Sequence, residues 1–214
     1  MISTRDLSEL PDIDSLKHLA QSLALLDAII CPEWEYRYHS FNAQWASDEY
    51  LASMRNGQGD HYFCLFTLAG AVIKGFAHEA PMSPYHFTPS TIWSGILDQL
   101  PLQFRASLSE TAFAIDETTF CIWRTYSDSV WQIGDIQFPA GENTDGSAHL
   151  LSMLDGDPRT YQRWAEGYYG RTVDLDAVTA IYHHKSLTPA LIATLNAELS
   201  IDDLSADIAE IGYP

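Results

Sequence analysis

The chain has 214 residues, enough for one large domain or two small ones, and 46% of them are hydrophobic, so a packed core is within reach and disorder is excluded. Acidic residues number 29 against 11 Lys and Arg, a net charge of −18 that repels a phosphate backbone and excludes nucleic acid as the expected partner. Cys31, Cys64 and Cys121 are odd in number and widely spaced, which fits buried thiols in a reducing compartment and neither a disulfide framework nor a zinc knuckle.

The first predicted element is a helix over 15–30, with Leu16, Leu19, Leu23, Leu26 and Ile30 on one stripe, Asp12 or Asp14 as cap and Pro32 as terminator. Its apolar stretch at 23–30 is too short to span a bilayer, and the opening MISTRDLSELPDIDS lacks the order of a signal peptide, so a cytoplasmic, soluble protein is expected. In 33–41, Trp34, Tyr36 and Tyr38 alternate with polar residues, which predicts a half-buried strand. Residues 48–55 read as a short helix closed by Asn56-Gly57. A hairpin is predicted over 61–68 and 71–77, turning at Ala69-Gly70.

The Pro-rich stretch HEAPMSPYHFTPS reads as a surface connector. Ile92, Trp93, Ile96 and Leu100 have helical spacing, and Pro101 opens a further helix. A second hairpin is expected over 118–126 and 130–136. The C-terminal third, about 147–214, carries helix-start signals at Asp157-Pro158, Asp174, Thr188-Pro189 and Ser200 with Asp203. The expected class is α+β: an antiparallel sheet built from hairpins, with packed helices and a helical C-terminal third, in a single domain over 1–214.

No phosphate-loop, G-x-G-x-x-G, G-x-S-x-G, H-E-x-x-H or C-x-x-C pattern is present, so no catalytic residue, metal ligand or cofactor is assigned. His78, Glu79, Tyr85 and His86 cluster in the Pro-rich connector and are candidate binding residues. The loop GENTDG at 141–146 lacks the register of a calcium loop and reads as a solvated turn. Tyr161, Trp164, Tyr168 and Tyr169 at helical spacing read as core. No Lys or Arg follows Lys185, while Asp203, Asp207 and Glu210 recur at helical spacing as an uncompensated acidic stripe, the candidate surface for a basic protein partner.

The runs SFNAQW, MRNGQGD, GAVIKGFAHEAPMSPY, TTFCIWR, GDIQFP and the terminal DIAEIGYP together resemble an uncharacterised family of bacterial proteins over nearly the whole chain. That family has no established activity, so the resemblance implies a bacterial source and carries no role to any position. Leu100-Pro101 with Phe104 and Leu108 is similar to the helical opening of the SUKH superfamily of bacterial immunity proteins. The expectation is a protein-binding module without catalysis, of the toxin-immunity kind. The alternative is a hydrolase or transferase with an active site near the 78–86 loop.

Overall fold

The structure is a computed structural model that describes residues 1–214. Helix α1, Ile13–Ile30, is capped by the Asp12 side chain, which accepts from the Ser15 N–H. It buries the leucine stripe: Leu16, Leu23 and Leu26 are almost wholly removed from solvent. Each such side chain contributes about 1.5–3 kcal/mol relative to exposure.

Six strands follow in one antiparallel sheet, in chain order from edge to edge: β1 His39–Ala46, β2 Glu49–Arg55, β3 His61–Thr67, β4 Gly70–Phe76, β5 Phe120–Thr125 and β6 Gln132–Ile133. Both faces are covered. Tyr62, Cys64 and Phe66 of β3 pack toward α1, whereas Phe63 and Leu65 join a second core with Ile96, Leu100, Phe104 and Phe113. This explains why β4, buried on both sides, reads as a run of apolar residues without alternation. Helix α2, Leu102–Leu108, lies within the segment that covers the second face.

Five helices complete the chain: α3 Ser147–Leu150, α4 Pro158–Tyr169, α5 Leu175–Tyr182, α6 Pro189–Leu195 and α7 Ser205–Ile211. Asp157, Asp174 and Thr188 cap α4, α5 and α6 through their side chains, as their positions predict. The class is α+β, with the helices of the C-terminal part on the α1 face. No helix is long and apolar enough to cross a membrane.

Several local expectations are corrected. Residues 48–55 are a strand, because β2 pairs with β1 and β3 on both sides and those ladders override its helix formers. Asp48, at φ 60°, makes the turn into it. Residues 92–100 form no helix, and 94–99 are turns, since Gly95 at φ 92° and Gln99 at φ 61° cannot continue a helix. The first strand begins only at His39, because the N–H groups of Tyr38 and His39 both donate to Asp27 Oδ2. Trp34–Tyr36 is instead a 3₁₀ turn, leaving Trp34 58% and Tyr36 59% exposed. The first hairpin turns at Leu68-Ala69, one residue earlier than expected, with Thr67 opposite Gly70. The last strand is shorter than its hydrophobic pattern. Finally, the 141–146 loop is not solvated throughout: Thr144 and Asp145 are buried, and Asp145 accepts from the Ser147 and Thr4 hydroxyls.

Candidate functional site

The 78–86 loop leaves β4 at one end of the sheet. His78 takes both its backbone N–H and its Nδ1 to Asp60 Oδ1, at 2.8 and 2.6 Å, which ties the loop to the β2–β3 turn. Glu79 is 89% exposed at its side chain, 3.7 Å from His78 Nε2. Tyr85 donates its hydroxyl to Glu117 Oε1 at 2.6 Å and sets its ring edge-on to Phe76. His86 closes a 3₁₀ turn and is exposed. His78 and Tyr85 are thus each anchored to a separate carboxylate, and no hydrogen bond joins their side chains.

Behind this loop lies a group that sequence reading missed. Lys74 is wholly buried on β4, with its Nζ 3.2 Å from His61 Nε2 and the rings of Phe63 and Phe76 within 6 Å. Desolvation lowers the Lys74 amine to about 8, against the pull of nearby Glu117. Burial, then the neighbouring Lys74 charge, lowers His61 to about 4. The signal was a lysine inside the apolar run GAVIKGF, where it has no wet face to reach.

A second buried polar group sits under α1. Asp27 is fully buried, and its Oδ2 receives the two backbone N–H groups of Tyr38 and His39 as well as His39 Nδ1 at 3.1 Å. Its other oxygen accepts the Tyr161 hydroxyl at 2.7 Å. His39 Nε2 and the Tyr169 and Tyr182 hydroxyls are buried nearby without a partner. This network joins α1, β1 and α4 and fixes where β1 starts. It therefore also places the 34–37 turn.

That turn exposes Trp34 and Tyr36 beside Glu33 and Glu35. Arg37 folds back on it, its Nε donating to the Cys31 carbonyl at 2.9 Å and its Nη2 to the Pro32 carbonyl at 2.8 Å. The rest of the guanidinium forms a two-pronged ion pair with Asp207 of α7 at 2.5 and 3.2 Å. Asp207 is accordingly not part of an uncompensated stripe, which corrects the sequence expectation: Arg37 lies far away in sequence and reaches it only through the fold. Asp203 stays exposed and accepts from the Ser200 N–H and hydroxyl, which holds its carboxyl below the ordinary value. Glu210 stays exposed. A shallow groove joins Trp34, Arg37, Asp207, Glu210 and Ile211. A neighbouring cavity of about 160 Å³ shares Trp34 and Arg37 and extends to Tyr38, Ser53 and Arg55. Tyr38 itself packs between Trp164 and Tyr168, both at 4.8 Å. Tyr168 is 46% exposed, whereas Tyr161 is fully buried, so the α4 aromatic face divides between core and surface.

The surface around Trp34 therefore combines exposed aromatic area with the exposed side chains of Glu33, Glu35 and Glu210. No three His, Cys, Asp or Glu side chains converge at metal-binding spacing. Comparison with family models, with curated proteins and with solved structures finds no match.

Proposed function

We propose that this chain is a protein-binding module that takes a basic partner on the Trp34 surface. The observation that carries the reading is the exposure of Trp34 and Tyr36, 58% and 59%, in a turn clamped by Arg37. Two large apolar side chains on a backbone turn that is already tied down leave less chain to order on docking, and Trp and Tyr dominate the energetics of protein interfaces. The acids beside them and the net charge of −18 favour a cationic partner and speed its approach. Membranes and nucleic acids, both anionic, are disfavoured by the same field.

Within this class the reading is an immunity protein that neutralises a basic toxin in the cytoplasm. Its supports are the similarity of Leu100-Pro101, Phe104 and Leu108 to the SUKH opening and the three free, buried thiols. The 78–86 loop supports an enzyme less well, because His78 and Tyr85 are each committed to their own carboxylate.

The test is affinity capture from the source organism with the wild-type chain and with a Trp34→Ala/Tyr36→Ala variant. A basic protein retained by the first and lost by the second is expected. Equal retention by both, or retention of acidic proteins only, would sink the proposal.

A further inference from the structure

Arg55 stands apart among the eight arginines of the chain. The other seven donate a hydrogen bond or join an ion pair: Arg37 with Asp207, Arg171 with the Leu195 carbonyl, Arg105 with the Leu97 carbonyl, and the rest likewise. Arg55 makes neither, in a protein with 29 carboxylates. Its guanidinium lies over the Phe63 ring, 5.6 Å from the centroid, which orients it without neutralising it.

The same side chain lines the 160 Å³ cavity beside Trp34. Strand geometry assembles the rest of that wall. Ser53 precedes Arg55 by two residues and so shares its face, and Ser40 of β1 lies directly opposite Ser53 in the ladder. Their hydroxyls are 2.7 Å apart, so one of the pair keeps a proton free for another acceptor. Trp34 and Tyr38 supply aromatic area at the mouth. An unpaired fork of N–H donors, a hydroxyl donor and flat apolar walls therefore meet in one concavity.

We propose that this cavity is a binding site for a planar monocarboxylate, with the carboxylate on Arg55 and the Ser40–Ser53 pair and the apolar part against Trp34 and Tyr38. The guanidinium fork matches a carboxylate in two-pronged geometry. One free cation, with Glu35 on the rim and −18 overall, selects a single negative charge over a phosphate dianion. The carboxylate can come from a free organic acid or from the C-terminus of a polypeptide. The proposal does not depend on the protein-binding reading.

The test is a backbone amide NMR titration of the full chain with benzoate, with benzylamine as the control of opposite charge. Saturable shifts around Ser40, Ser53 and Arg55 with benzoate alone are expected. Arg55→Gln should weaken binding at least tenfold while leaving amide positions elsewhere in the spectrum unchanged. A short peptide ending in Phe, as free acid and as C-terminal amide, separates the sources: a peptide acid that binds more tightly than benzoate assigns the site to a chain end, and an equal or weaker one assigns it to small acids. Benzylamine binding as well as benzoate, equal affinity in Arg55→Gln, or shifts located elsewhere would overturn the proposal. Trp34 belongs to both surfaces, so this site is read from Arg55 and the capture experiment from Trp34 with Tyr36, and failure of one is told apart from failure of the other by the residue that moves.

Discussion

Asp27 concentrates four hydrogen-bond donors on one buried carboxylate. Removing an acceptor of this kind strands its donors, at about 1–3 kcal/mol for each group left unsatisfied. Asp27→Asn is expected to lose on the order of 3 kcal/mol of stability in urea denaturation, and Tyr161→Phe about 1.5 kcal/mol. Values near zero for both would mean that the network is not formed. Lys74 gives a separate prediction with a defined sign. Its amine titrates near 8 when folded and near 10.5 when unfolded, so between these values the unfolded chain binds more protons and stability rises with pH. The whole difference is on the order of 3 kcal/mol at about 1.4 kcal/mol per unit, present as a penalty at pH 7. Lys74→Met should flatten the pH 8–10 rise relative to wild type; the buried tyrosines, whose hydroxyls burial pushes up, are common to both chains and cancel in the comparison. An unchanged slope would contradict the burial of this amine. Neither group was legible in sequence as a site. Each stands inside an apolar run, LALLDAII or GAVIKGF, which signals a required partner, but Tyr161 and His61 are supplied only by the fold.

The elements divide by how local their determinants are. Helix starts at Asp12, Asp157, Asp174 and Thr188 were readable because a cap acts within three residues. The first hairpin was readable because its strands carry their own pairing signal. β2 was not, since its residues form helix or strand equally well and two neighbouring strands decide the outcome. The Trp34–Tyr36 turn failed for a related reason: aromatic alternation marks a strand only where the backbone is free to pair, and Asp27 has already taken the next two N–H groups. Sheet packing yields a further expectation at Gly75 of β4. A Cβ there would stand 2.0 Å from the ring of Phe120 on the adjacent β5, itself fully buried. Gly75→Ala is expected to cost about 1–3 kcal/mol as the ring is displaced, measured by thermal or urea unfolding. A neutral effect would show that Phe120 has room to move, contrary to the packing of both cores against the sheet.

At the scale of the molecule, the charge of −18 is not one uniform field acting through one stripe. Asp207 is neutralised by Arg37, Asp203 is occupied by Ser200, and Asp60 and Glu117 hold the 78–86 loop. Glu33, Glu35 and Glu210 stay exposed beside the exposed rings of Trp34 and Tyr36. Of the acidic stripe expected at Asp203, Asp207 and Glu210, only Glu210 lines the groove beside Trp34 without an ion-pair partner, and the exposure of Trp34 and Tyr36 was not legible because their alternation reads as the apolar side of a half-buried strand. If the Trp34 surface binds as proposed, the encounter is electrostatic and the grip apolar. Charge then governs the association rate and falls away beyond about 10 Å at 0.1 M salt, whereas Trp34 governs dissociation. The most direct test is the kinetics of the captured partner with wild type and Trp34→Ala across an ionic-strength series. The account predicts an association rate that drops steeply with salt in both chains, and a dissociation rate at least tenfold faster in Trp34→Ala at every salt. A salt-independent association rate, or an unchanged dissociation rate in the variant, would contradict it.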